Sequence, residues 1–215
     1  MLAHSASSKS LDDFASFTEI AGTGTYMDFY NRRLDKGRSG SDITHRAVLS
    51  GVYDLPILRN RGWLTRLFGG WRTGLILSMQ SGPTYSVYSF VNETNAFPPG
   101  SVRANLAGDP SLPSDQRTLA RWFNTSAFVN PPQFRFGNAG RGIMTGPGTV
   151  NLDSSFAKRF PITDSWRAEI RGEFFNFLNH TNFNLPGHTV NAPTYGLINS
   201  AKAARSAQLA FRIDF

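Results

Sequence analysis

Hydrophobic and polar residues alternate along the last ten positions of the chain, S-A-Q-L-A-F-R-I-D-F, residues 206–215. Leu209, Phe211, Ile213 and Phe215 share one parity, and Gln208, Ala210, Arg212 and Asp214 share the other. Successive side chains of a strand point to opposite faces, so this period predicts a strand with one apolar and one mostly polar face. The pattern is clearest over 166–178, W-R-A-E-I-R-G-E-F-F-N-F-L. There Trp166, Ala168, Ile170, Gly172 and Phe174 form one face, and Arg167, Glu169, Arg171 and Glu173 the other. Successive charges on one face suit a sheet with lipid on one side and a wet lumen on the other. The solvated face of a soluble sheet is the alternative, as a soluble sandwich is for the terminal strand.

Further alternating stretches predict strands over 150–160, 71–81, 44–55 and 2–9, with an extension of 71–81 over 84–91 beyond Gly82-Pro83. The longest helical candidate, 116–122, is only about two turns long. The connections alternate in length. Long, turn-rich stretches cover 10–42, 92–149 and 179–205, a moderate one covers 56–70, and 161–165 is a short turn. Long extracellular loops and short periplasmic turns are the asymmetry of an outer-membrane barrel. The chain is therefore expected to be an all-β, antiparallel transmembrane β-barrel fragment of about six strands. Ile170, Phe174, Leu209, Phe211 and Ile213 are expected to face lipid, and Arg167, Glu169, Arg171 and Glu173 the lumen. Closed barrels need about eight strands or more, so an open sheet with edges near 1–10 and 206–215 is expected. Trp71, Phe160, Trp166, Phe211 and Phe215 fall near the strand ends where an interfacial aromatic girdle would lie; ordinary core aromatics are the alternative.

Composition changes this picture little. Among the 215 residues there is no cysteine, which excludes disulfides, thiolate metal sites and cysteine nucleophiles. The net charge of +7 invites a nucleic-acid reading. The Lys and Arg residues are scattered, however, so no nucleic-acid partner is expected. Gly137 to Gly142 is glycine-rich but lacks the strand–helix context of a phosphate cradle. His180 and His188 share an Asn-rich loop without carboxylates at metal-ligand spacing. No nucleophile elbow or triad pattern occurs. Neither an enzyme nor a cofactor or metal is expected. The opening M-L-A-H-S-A-S-S-K-S lacks the charged and apolar regions of a signal peptide. The expectation is a carboxy-terminal piece of something longer.

Several segments carry a family resemblance. They are S-K-S-L-D-D (8–13), H-R-A-V-L-S-G-V-Y-D-L-P (45–56), G-G-W-R-T-G (69–74) and N-L-A-G-D-P (105–110). R-W-F-N-T-S-A-F (121–128), F-G-N-A-G-R (136–141), G-P-G-T-V-N-L-D (146–153) and F-F-N-F-L-N-H-T-N-F (174–183) follow. Together they resemble the carboxy-terminal part of Oar-like TonB-dependent receptors over nearly the whole chain. Such receptors carry a carboxypeptidase-regulatory-like domain, a plug and a barrel of roughly 22 strands. The resemblance implies that residues 1–215 are the last strands of that barrel, with the plug and amino-terminal regions absent.

It further implies a bacterial outer-membrane location and energy-coupled, TonB-dependent uptake of a bulky nutrient. The implied partners are outer-membrane lipid, the TonB system through the missing plug, and an unknown ligand. The barrel-assembly machinery would recognise the terminal strand with Leu209, Phe211, Ile213 and Phe215. A surface adhesion or binding barrel without transport is the alternative, and a soluble carbohydrate-binding sandwich a third reading. The loop 91–149 is expected to face the ligand, with Arg121, Trp122, Arg135 and Phe136 as candidate contacts. Arg103, Arg121, Arg135 and Arg141 would make that surface basic, or would only pair with loop acids.

Overall fold

A computed structural model describes residues 1–13, 26–55, 69–96 and 102–215 of the protein. Its strands are β1 (Leu2–Ser7), β2 (Leu11–Asp12), β3 (Gly37–Arg38), β4 (His45–Asp54), β5 (Trp71–Gln80) and β6 (Thr84–Tyr85). β7 (Asn105–Leu106), β8 (Phe128–Val129), β9 (Met144–Thr145), β10 (Thr149–Pro161), β11 (Arg167–Phe175) and β12 (Ser206–Asp214) follow. The described residues hold no α-helix, only three short 3-10 turns. The helical candidate at 116–122 forms no α-helix; a 3-10 turn at Ser114–Gln116 reaches only its first residue.

Six strands form one antiparallel sheet in the order β1-β4-β5-β10-β11-β12. Each is a neighbour in sequence among the long strands, which is a meander. The sheet does not close. Among the described residues, β1 and β12 each pair on one side only. Connections β1–β4, β5–β10 and β11–β12, the long ones, therefore leave from one end. The turn between β10 and β11 lies at the other, where β4 ends and β5 begins. The β4–β5 connection, expected over 56–70, lies outside the described residues apart from Gly69 and Gly70.

Register settles which residues share a face, because directly paired residues of antiparallel strands point the same way. Ile170 pairs with Phe211 and Lys158, Gly172 with Leu209 and Phe156, and Ala168 with Ile213 and Phe160. Leu152 pairs with Leu77, and Leu77 with Leu49. One face is thus apolar across the sheet. Its residues Leu209 and Phe211 are 83% and 65% exposed, an arrangement water would not tolerate but hydrocarbon does. Arg171 pairs with Ala210 and Ala157, and Glu169 with Arg212 and Arg159, so the charges lie on the opposite face.

The apolar face carries aromatic rings at the turn end. Trp166 and Phe215 stack at 5.5 Å between centroids. Lys158 comes from the same face and is buried there, its Nζ 4.9 Å from the Phe160 ring centre and 6.0 Å from that of Trp71. A long cationic stem among rings near a strand end is how such a charge tolerates a lipid-facing position.

The buried apolar cluster is not in the sheet. It is built by the loops of the long-connection end: Val87, Ala104, Phe123, Phe128 and Val190 are nearly inaccessible and pack together with Tyr85. The segment 84–91 does not continue β5 as expected. After Gly82-Pro83 only Thr84–Tyr85 is strand, pairing with Met144–Thr145, and the chain enters this cluster. Pro83 cannot donate to a ladder, and Gly82 is pressed so closely on Gly146 that a Cβ would lie 1.8 Å from the Gly146 carbonyl oxygen.

Candidate functional site

Two features stand out: a charged wall and a folded cap above it. The wall follows from alternation in β10, β11 and β12. Glu169 is the hub. Its Oε2 accepts from Arg159 Nε at 2.7 Å and its Oε1 from Arg171 Nη2 at 2.7 Å. Arg171 also lies 3.8 Å from Glu173, and Glu173 accepts from Gln208 on β12. Arg212 pairs with Asp214, and Arg72 with Asp54, each at 2.7–2.8 Å. Glu169, Arg171, Glu173, Gln208, Ala210 and Arg212 line a recess of about 260 Å³ on this face. The wall is nearly neutral because its charges pair, across strands in Arg159–Glu169 and Arg72–Asp54 and between same-face neighbours of one strand in Arg171–Glu169 and Arg212–Asp214. Such pairing suits a wet, wide lumen better than a steering field for one ligand charge.

The cap joins all three long connections. Arg103 Nη1 donates to Asp35 Oδ1 at 2.7 Å and its Nε to the Ala139 carbonyl at 3.0 Å, and it also reaches the Leu34 carbonyl. Asp35 additionally accepts from the Met27 amide at 2.9 Å. Arg141 pairs with Asp12 and donates to the Asp35 carbonyl at 3.2 Å. Both arginines are buried. They hold the first connection against the second, so the reading in which these arginines pair with loop acids holds for Arg103 and Arg141. The third connection docks through backbone pairs. Trp122 donates to the Gly196 carbonyl at 3.0 Å, Ile198 to that of Leu119 at 2.8 Å and Val190 to that of Tyr88 at 2.8 Å.

The Asn-rich stretch after β11 clasps the sheet. Asn182 acts like a strand residue through its side chain: its Oδ1 accepts from the Val150 amide at 2.8 Å and its Nδ2 donates to the Val150 carbonyl at 2.9 Å. Asn176 adopts φ 52°, donates its amide to Asp153 at 3.0 Å and closes a turn with His180. His180 and His188 are occupied by this turn and by the Pro186 carbonyl. Among the described residues no three His, Asp or Glu side chains gather as a metal site.

The cap loops lie at the end opposite the 161–165 turn, as expected for 91–149. Arg121 and Arg135 are exposed there. Trp122 and Phe136 are half-buried. The Trp122 indole donates to the Thr145 carbonyl at 3.3 Å and has the Arg117 guanidinium 5.7 Å from its ring, so it supports the cap as much as it faces outward. Two aromatics missing from the candidate contacts are more available: Phe90 and Phe134 are 64% and 72% exposed. Phe134 sits at φ 63°, rare for a bulky residue, its amide fixed by the Glu93 carbonyl at 2.8 Å. Its place in the strongly turn-favouring P-P-Q-F was the one signal available.

Asp42 anchors the first connection. Its carboxylate is buried, which alone would raise its pKa. The Ser10 amide and the Arg38 guanidinium, each at 2.8 Å, outweigh burial and hold it below the usual carboxylate value. A depressed folded-state pKa stabilises above the unfolded value of about 3.9 and is lost as pH falls through the folded value. Protection of amides at 37–44, relative to their intrinsic exchange rates, should therefore fall below about pH 4, while Asp42→Asn should lack that protection already at neutral pH. Protection unchanged between neutral and acid pH would refute this anchoring role.

Neither a curated protein nor a solved structure matches the chain. A family model described as an outer membrane beta barrel domain matches residues 6–208, which takes in β4, β5, β10, β11 and the cap, and the inner ends of β1 and β12. A lipid-facing apolar face, a paired-charge face and long loops gathered at one end are what such a domain requires, and the chain belongs to the outer membrane beta barrel domain family.

Proposed function

We propose that the chain is the carboxy-terminal part of an Oar-like TonB-dependent receptor barrel, resident in the bacterial outer membrane. On this reading, strands from the rest of the receptor close the sheet at β1 and β12, and a plug fills the lumen beside the charged wall. The receptor takes up a bulky nutrient by energy coupled through TonB. The cap is the observation that carries the reading: three long loops fold into one body with its own apolar cluster above a wet wall. A scaffold that only spans the membrane has no need of one. The loop cap presents Arg121 and Arg135 at its surface, together with the aromatic rings of Phe90 and Phe134. An extended ligand bearing acidic groups fits that combination.

A surface binder without transport would use the same cap, and the internal ion pairs of Arg103 and Arg141 favour a fixed binding platform. Energy dependence separates the two. Full-length receptor with Arg121 and Arg135 both replaced by alanine should lose ligand uptake by about tenfold or more, the worth of one or two charge-assisted contacts. Uptake by the native receptor should also stop when the proton-motive force is collapsed. Native uptake by the double variant at normal surface display would remove the arginines from the ligand site. Binding that persists without any energy-dependent uptake would favour the second reading.

A further inference from the structure

The charged face of the sheet is not polar throughout. Register runs two ladders of neighbours across it: Leu2, Ser50, Ile76 and Asp153 in one, and Val52, Gly74, Ser155 and Glu173 in the next. Directly paired residues point the same way, so Leu2, Val52 and Ile76 stand on the face of Glu173. They are 70%, 68% and 48% exposed. Between them the sheet carries only short side chains. Ser50 and Ser155 are small, and Gly74 has none; a Cβ there would lie 2.7 Å from Ser155 Oγ. The result is a recess of about 680 Å³ lined by both ladders. That is the size of a small-molecule site, and exposed apolar walls on a wet face mark a binding surface.

Two carboxylates close one end of the recess. Glu173 already accepts from Gln208 and has Arg171 3.8 Å away. Asp153, half-buried, has no such cation. Among the described residues it accepts only amide donors, Asn151 Nδ2 at 2.8 Å and the Asn176 amide at 3.0 Å, both on Oδ1. The ladder toward the turn end brings in Arg72, but Asp54 neutralises it at 2.8 Å. The recess is therefore apolar along its walls and acidic at its edge.

We propose that this recess binds a small amphipathic cation. The apolar part of the ligand lies between Leu2, Val52 and Ile76, and its ammonium donates to Asp153. A carboxylate without a counter-ion beside apolar walls selects a cation over an anion of the same shape. The site rests on the charged face being the wet one, and on neither the plug nor TonB coupling, so it is independent of the outcome for energy-dependent uptake.

The test uses the protein folded into lipid vesicles and three probes at neutral pH: benzylammonium, benzylsulfonate and methylammonium. Binding is followed by ligand-observed NMR titration, with protein-free vesicles subtracted. Benzylammonium should bind about tenfold tighter than either of the others, which lack its charge or its ring. Asp153→Asn keeps an Oδ1 to accept from Asn151 and Asn176, yet should weaken benzylammonium binding about fivefold. Ile76→Ser leaves every charge in place and should weaken benzylammonium while leaving methylammonium unchanged. Equal binding of benzylammonium and benzylsulfonate, which a plain apolar seat for another protein segment would give, overturns the proposal whether or not the variants fold. A cation preference that survives in both folded variants places the ligand elsewhere and overturns it too. So does self-association through this face that Ile76→Ser abolishes while no probe binds.

Discussion

Arg103→Met is expected to open the cap while leaving the sheet intact. Arg103 is buried, and its guanidinium is shared among the Asp35 carboxylate and the Leu34 and Ala139 carbonyls. Methionine fills much of the volume but donates nothing. Asp35, also buried, would lose this charged partner and keep the Met27 amide as a donor to its carboxylate. Stranding one member of a buried pair costs about 3–5 kcal/mol, far more than an exposed, solvent-screened pair such as Arg72–Asp54 can contribute. That is a large fraction of what holds a loop body together. The measurement is hydrogen exchange in the protein folded into lipid vesicles. Residues 26–44 and 102–141 should lose protection, and β10 to β12 should keep it. Arg103→Met combined with Asp35→Leu should recover part of the protection, because the stranded charge is then gone. A single variant with native exchange in both segments would show that the pair does not hold the cap.

The wall was legible in the sequence and the cap was not, for one physical reason. A strand in a two-faced sheet announces itself locally, since each side chain reports its face through its parity. The charged residues Arg167, Glu169, Arg171 and Glu173 and the apolar residues Leu209, Phe211 and Ile213 therefore lie on opposite faces, as their parity predicts. The cap is made by contacts between distant segments. Asp35 and Arg103 are 68 residues apart, and no local period points from one to the other. Arg103 and Arg141 were open to two readings, a basic surface or pairing with loop acids, and both are buried and paired with acids of the first connection. Gly137 belongs to the same hidden set: a Cβ there would lie 1.8 Å from the Arg103 carbonyl oxygen, so the glycine serves close backbone packing. Asn176, Asn179 and Asn182 recur every third position, which is a turn signature rather than a strand one. Read that way, the clasp on Val150 had a visible trace. The 84–91 segment shows the reverse error. It alternates acceptably, but Gly82-Pro83 breaks the ladder and tertiary packing takes the segment elsewhere.

Two adjacent positions of β12 should respond oppositely to the same substitution. Leu209 lies on the apolar face opposite Gly172, and Gln208 on the charged face opposite Glu173. An arginine at 209 must enter hydrocarbon, which costs about 2–4 kcal/mol near the middle of the bilayer and less toward its surface. An arginine at 208 would replace a neutral donor to Glu173 with a cationic one on the wet side, changing stability by less than about 1 kcal/mol. In the protein folded into vesicles, Leu209→Arg should lower the urea midpoint sharply, and Gln208→Arg should leave it nearly unchanged. Helix propensity and strand propensity cannot produce this contrast, because the two sites are neighbours in one strand. If both variants fold with native stability, the apolar face does not meet lipid. If Gln208→Arg is the more damaging, the faces are reversed, and Arg167, Glu169, Arg171 and Glu173 cannot line the lumen.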